Sequence, residues 1–256
     1  MIDPRAIIDP TAKIAPNVEI GPFTIIGPEV EIGEGTWVGP HTVIKGPTRI
    51  GKENKIFQFA SIGEDSQAKK YHGEKTWLEI GDQNVFREFC TINRGNAQDE
   101  GITKIGNDNL FMAYVHVAHD CQIANHTVFA NNASLAGHVR VDDYVLLSGF
   151  SGVHQFCHLF PHSFLASNAL VVRDVPPYIR VAGIYAKPFG LNTVGLTRHG
   201  FSAETLLNLK RAYRIIYRQN LTTEEALKEL PSLLEACPEV QLFIDALKNS
   251  ERGIVR

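Results

Sequence analysis

Residues 114–121 read YVHVAHDC, with His116 and His119 three apart and Asp120 directly after the second histidine. Three chemistries suit these types at this spacing. An imidazole held by a neighbouring carboxylate is a general base. Two histidines and an aspartate are also donors of the kind zinc takes. The bland reading is a polar edge of something regular. The choice depends on which elements carry the segment, and on what they bring near it.

Those elements are legible as a six-residue clock. Aliphatic residues recur at Ile8, Ile14, Ile20, Ile26, Ile32, Val38, Ile44, Ile50, Ile56 and Ile62, restart at Ile80, Phe86 and Ile92, slip by one, and run from Ile105 to Val171. Four residues after most of them stands a small or β-branched residue such as Thr24, Val30 or Thr42, and glycine often follows directly, as at Gly21, Gly33 and Gly51. Neither a 3.6-residue nor a two-residue period explains a strict six. A short strand plus a turn, repeated, does, with one aliphatic buried per unit and glycine expected where φ is positive.

This is the pattern of a parallel β-helix. It resembles the hexapeptide-repeat proteins, whose chains wind as a left-handed triangular prism with about 18 residues per coil; the handedness comes from that resemblance. The clock positions then make about eight coils, roughly 40 Å of prism. Residues one coil apart stack, so His119, Gly137 and Gln155 form a column flanked by His138 and His154. A base on one coil lies ~4.8 Å from a glycine on the next, and a glycine N–H with no side chain over it can serve an oxyanion. Asp120 is placed to fix the His119 tautomer. His41, His126, His158 and His162 fall at other phases and read as ordinary surface or interface residues.

Composition excludes several classes. The chain has 256 residues, is 44% hydrophobic, and carries a net charge of −3 with a pI near 6.4, so no global basic field exists to hold nucleic acid. No apolar run approaches the ~20 residues of a membrane span, and the N-terminus lacks the pattern of a secretion signal, so the protein is expected in the cytoplasm without membrane insertion. Cys90, Cys121, Cys157 and Cys237 show no C-x-x-C pairing. The first three occupy the small inward slot four after a clock aliphatic and read as reduced, packed thiols.

Two interruptions leave the prism, at residues 63–79 and 93–104, and loops of such length in a solenoid are usually functional or partner-binding. After Val171 the clock stops at DVPPY, and from Ser202 apolar residues take helical spacing, with three helices expected. The division expected is a β-helix over residues 1–190 and a helical domain over 191–256. Lys210, Arg211, Arg214 and Arg218 make a basic stripe, either a solvated helix face or a dock for an acidic partner.

From ASIGE through AHDC, ANNASLAGHV, VHQFC, DVPPY and KPFGLN the chain is similar, along essentially its whole length, to the UDP-N-acetylglucosamine O-acyltransferase family, which opens lipid A synthesis. The resemblance implies transfer of a 3-hydroxyacyl chain from acyl carrier protein to the sugar 3-hydroxyl by a homotrimer with sites between prisms. It implies His119 as general base, Asp120 behind it and the Gly137 amide as oxyanion donor. It further implies that Gln67, Lys70, His116, His138, His154 and Gln155 contact the sugar nucleotide or acyl chain, with Asn192 and Arg198 near the nucleotide and Ser167 setting chain length. No metal or other cofactor is expected, because the thioester is already activated.

Ala68, Val194 and His199 depart from the family's pattern, which keeps a 3-amino sugar acceptor, giving an amide, as an alternative. A γ-class carbonic anhydrase, a hexapeptide prism with zinc on three histidines, is a second alternative. A non-catalytic scaffold is a third, and the regular one-residue ladders it calls for on an outward face are not found in the sequence.

Overall fold

A computed structural model describes residues 1–98 and 100–256. Short strands, mostly of two to four residues and parallel, stack in three sheets of nine, eight and ten strands, each strand pairing with the third one on except at the C-terminal end of the ten-stranded sheet. These sheets are the faces of a triangular prism. Face A carries the outward column Glu19, Trp37, Lys55, Val85, Leu110, Val128, Leu146 and Phe164. Face B runs through Ile7, Ile25, Val43, Ser61, Thr91, His116, Ser134, Gly152 and Leu170. Face C runs from Lys13 through Glu31, Arg49, Glu79, Lys104, Gln122 and Arg140 to His158.

The clock residues are the core, buried from Ile20 to Val171. Within it Phe86, Phe111 and Phe129 stack at 4.7 and 4.8 Å between ring centroids, each fully buried. Beside them Thr36, Asn54, Asn84, Asn109 and Thr127 form an internal ladder of side-chain hydrogen bonds that keeps buried polar atoms satisfied. Phe111→Ala is expected to lower stability by about 3–5 kcal/mol, because the stack cannot close over the void; denaturant unfolding monitored by circular dichroism checks it.

The turns correct the expectation about glycine in part. Positive φ falls on the third residue after most clock aliphatics, as at Phe23 (59°), His41 (57°), Phe59 (62°), Asp120 (58°) and His138 (62°), and few of these are glycines; Gly35 (70°) takes the same slot, and Gly63 (75°), directly after Ile62, meets the expectation. Gly33 and Gly51, directly after their aliphatics, have no such φ. They are small because coils meet there: a Cβ on Gly33 would lie 2.5 Å from the Gly51 carbonyl, and one on Gly51 2.6 Å from the Gly81 oxygen. Along the corner between faces A and B, the left-handed residues Phe23, His41, Phe59, Phe89 and Tyr114 stack into an outward aromatic column at 4.9–5.3 Å spacing.

The interruptions are shorter than the clock suggests. Strands Ser61–Glu64 and Trp77–Ile80 claim both ends of the first loop, and Thr91–Asn93 and Ile102–Ile105 those of the second. Trp77–Ile80 and Ile102–Ile105 are long because they pair along all four residues. The prism also continues beyond Val171: Ile179–Ala182 adds a parallel strand on Phe164–Leu165, and antiparallel Lys187–Leu191 closes the end. Helices follow at Thr193–Arg198 (α1), Ala203–Arg218 (α2), Thr223–Glu229 (α3) and Val240–Asn249 (α4). The six-residue α1 is the one spacing did not reveal. Ser202 caps α2, and Thr222 with Glu225 forms a capping box on α3. Among the described residues, no helix is long and apolar enough to cross a membrane.

Candidate active site

Strand His116–Val117 sits between Thr91–Asn93 and Ser134–Leu135, with Gly152–Val153 above. All turn at the corner between faces B and C. His119, Gly137 and Gln155 therefore align there, as spacing required, and Asp120, His138 and Phe156 align beside them. The loops after Glu64 and Asn93 leave from this same corner on the coils below.

His119 Nδ1 lies 2.8 Å from Asp120 Oδ2. Asp120 is 4% exposed; its N–H donates to Thr103 Oγ1 (2.8 Å), and its carboxylate accepts from the Asn96 N–H at 3.1 and 3.0 Å. An ionised carboxylate only accepts, so the shared proton belongs to His119 Nδ1 and the Nε2 lone pair is left free to take another. The His119 ring fills the space over Gly137: an ideal Cβ there would be 2.6 Å from Cε1 and 2.8 Å from Nε2. Gly137 is consequently buried rather than open. This corrects the picture of an unobstructed glycine while keeping base and amide adjacent.

Gly137→Ala must displace the imidazole, and a misplacement of about 1 Å costs on the order of 100-fold in turnover. We expect kcat to fall by about 10–100-fold with KM little changed, measured by initial rates alongside an unaltered thermal unfolding curve.

His138 packs edge-on to His119 (5.1 Å, 87°), stacks on Phe156 (4.4 Å) and holds Nε2 4.0 Å from Asp120 Oδ2. On face B, His116 Nδ1 is 2.7 Å from Thr91 Oγ1. Burial, reinforced by nearby His119, holds the His116 imidazole below the ordinary histidine range, so it is neutral at pH 7. His154 and Gln155 are exposed at the corner, with His154 Nδ1 3.1 Å from the Gln155 carbonyl. Gln67 and Lys70 are exposed on the first loop, whose Lys70 carbonyl accepts from Gln98 of the second (3.3 Å).

Three expected residues do not join this group within one chain. Ser167 turns at the corner between faces A and B. Asn192 and Arg198 begin and end α1 beside His162, at the corner between C and A. The Asn192 side chain is occupied, accepting from Gly195 N (3.2 Å) as helix cap and donating to His162 O (3.1 Å). Asn96, Thr103, Thr91 and Arg94 are contributors that periodicity missed, since loop backbones and single threonine hydroxyls carry no clock signal.

All four cysteines are buried free thiols. Burial pushes Cys90 and Cys121 up to about 12 and Cys157 and Cys237 to about 11, which leaves them unreactive at neutral pH. His119, Asp120 and His138 present ligand atoms within 4.8 Å of one another. That set has two histidines and a carboxylate rather than the three histidines of the carbonic anhydrase reading.

A prism of six-residue coils with a histidine–aspartate pair at one corner defines a hexapeptide-repeat transferase, and the bacterial transferase hexapeptide model matches residues 102–137. A second model, domain 2 of UDP-N-acetylglucosamine O-acyltransferase, matches residues 174–255. Acyl-[acyl-carrier-protein]–UDP-N-acetylglucosamine O-acyltransferases of Stutzerimonas stutzeri (53% identical over 256 residues) and Thiobacillus denitrificans (54% over 255) each align with 100% of this chain and 99% of their own. The solved structure of UDP-N-acetylglucosamine O-acyltransferase from Moraxella catarrhalis superposes with a TM-score of 0.98 at 49% identity, covering 100% of this chain and 99% of that one. The chain belongs to the UDP-N-acetylglucosamine O-acyltransferase family. It is an acyltransferase with the left-handed β-helix and helical C-terminal segment of that family, which decides against carbonic anhydrase.

Proposed function

We propose that the protein transfers a 3-hydroxyacyl chain from acyl carrier protein to the 3-position of UDP-N-acetylglucosamine, in the cytoplasm, with His119 as general base. The observation that carries this is the His119–Asp120 pair lying over Gly137, with the carboxylate steadied by Asn96. His119 Nε2 takes the proton of the sugar hydroxyl as its oxygen attacks the thioester carbon. The Gly137 N–H faces the oxyanion that forms. Collapse expels the carrier thiolate, and the imidazolium returns the proton to sulfur, giving ester and free thiol. Asp120 stabilises the imidazolium throughout. The neutral imidazole of His116 and the side chains of Gln67, Lys70, His138, His154 and Gln155 line the acceptor and acyl groups along this corner.

The working unit we propose is a trimer. Face A is apolar from Val85 through Phe164, the lower half of face B is Ile7, Ile25 and Val43, and exposed aromatics line the corner between them. Face C is a charge ladder, with Lys13–Glu31 (2.8 Å), Arg49–Glu31 (3.6 Å) and Arg49–Glu79 (3.4 Å) pairs. Packing face A of one copy on face B of the next is a heterologous contact that closes as a ring, keeping face C in water. It sets the His119 corner of one copy against the neighbour's corner bearing Asn192 and Arg198, with the Ser167 corner innermost. That is how residues on three corners serve one site. Two domains, 1–190 and 191–256, divide the labour: prism for chemistry, helices for docking. The exposed cations of α2, Lys210, Arg211, Arg214 and Arg218, fit an acidic carrier.

The test is product identification by mass spectrometry, offering UDP-N-acetylglucosamine and its 3-amino analogue in equal amounts with a ladder of 3-hydroxyacyl carrier proteins. Ester on the ordinary sugar is expected; amide on the analogue would reassign the acceptor, and absence of either would end this reading. Chain length reports on Ser167: Ser167→Gly is expected to shift the preferred chain longer, since removing the hydroxymethyl makes room for added methylenes.

A further inference from the structure

We infer that Arg94 is a positioning residue for acyl transfer, clamping the first loop to the second and so holding the backbone N–H that steadies Asp120. The inference rests on the catalytic reading of His119 and Asp120 given above. Arg94 is 6% exposed, an unusual place for a guanidinium unless its donors are used. Nη1 donates to the Gly63 carbonyl, and Nη2 to the Asp65 carboxylate and to Tyr71 Oη (3.2 Å). All three acceptors belong to the first loop or its base. Tyr71 Oη is also 2.9 Å from the Glu74 carbonyl, tying the far side of that loop to the same point.

The backbone around Arg94 is fixed just as firmly. Its N–H donates to Glu64 O (2.9 Å), Asn93 Nδ2 to Asp65 O (2.7 Å) and Gly95 N to Trp77 O (3.1 Å). Gly95 is pressed so closely on the returning strand that a Cβ would lie 2.0 Å from Ile102 N. The next residue is Asn96, whose N–H meets both Asp120 oxygens. A single residue, Gly95, thus separates the guanidinium that anchors the Gln67 and Lys70 loop from the amide that anchors the dyad. Acceptor binding and proton transfer then share one buried cation, whose hydrogen bonds go to Gly63, Asp65 and Tyr71 rather than to His119.

Steady-state kinetics on the whole oligomeric enzyme, varying the sugar nucleotide at saturating acyl carrier protein, separates the two arms. Tyr71→Phe loosens only the first loop, so KM is expected to rise by about 3–10-fold with kcat within about twofold. Arg94→Met keeps the stem and removes the clamp, so KM rises similarly and kcat falls by about 10–100-fold. Arg94→Lys, which retains charge but lacks the two-sided fork, should fall between and also serves if the methionine variant does not fold. In a His119→Ala background, Arg94→Met should cost no further kcat, because the base it positions is gone. Parental kcat in both Arg94 variants, a kcat loss matched by loss of folded protein in thermal unfolding, or an additive loss in the double variant would each overturn the proposal. A nearly fully active His119→Ala enzyme would instead sink the dyad reading and with it the kcat arm, whereas a KM rise in Arg94→Met would still sustain the loop clamp.

Discussion

His119→Ala is expected to reduce kcat by about 10²–10⁴-fold, equivalent to about 3–5 kcal/mol of transition-state stabilisation, with a much smaller change in KM. The imidazole has a lone pair free to accept a proton beside the Gly137 amide: its Nδ1 is committed to Asp120 at 2.8 Å, and Asp120 is in turn committed to Asn96. His116 is not a substitute, since its Nδ1 is taken up by Thr91 and its basicity is lowered by burial. Asp120→Asn should be nearly as damaging, because an amide nitrogen in that position presents a donor to Nδ1 and favours the wrong tautomer. The pair acts as a unit, so the double variant should be little worse than His119→Ala alone. Initial rates with the proposed substrates decide this; a His119→Ala enzyme within about tenfold of the parent would remove His119 as base.

Leu146→Glu is expected to dissociate the oligomer and to abolish turnover while leaving the prism folded. Leu146 points outward from face A between Val128 and Phe164, where a carboxylate in the proposed contact would be buried without a partner. Breaking a buried arrangement in this way costs about 3–5 kcal/mol at each of the equivalent contacts, enough to weaken association by more than about 100-fold. The inward neighbour Leu147, fully buried, is untouched, so circular dichroism should be unchanged. Lys104→Glu on face C is the control, because its side chain stays in water in the proposed ring and the oligomer should survive. Sedimentation of the two variants, with activity measured on the same samples, separates the outcomes: a monomer that still turns over would refute the intersubunit site, and an intact trimer in Leu146→Glu would refute the choice of faces.

Together these two variants probe different levels. His119→Ala removes a group whose place is readable from the sequence, and Leu146→Glu perturbs a surface whose meaning depends on all three faces. The closing mutation at Gly137 lies between: its column was legible, but the intimacy of ring and glycine was not.

The amino-acid sequence by itself determined the prism, its core and the column of His119, Gly137 and Gln155. The physical reason is that each six-residue unit buries one side chain in a fixed direction, so a strict period reports both the inward row and, by counting, what stacks one coil up. It also located the two loops and the start of α2, where Ser202 caps a helically spaced run. Only the tertiary structure decided which residues take left-handed turns: Asp120 and His138 do so because the corner demands it at that step, while glycines mark where backbones touch. It alone showed Asn96 and Thr103 converging on Asp120 and Arg94 tying the two loops together, since hydrogen bonds between segments far apart in the chain leave no periodic trace. The division of the surface into apolar stretches on faces A and B and a charged face C was likewise hidden, because the outward residue of each strand varies freely along the chain and acquires a pattern only when the strands of one face are laid side by side.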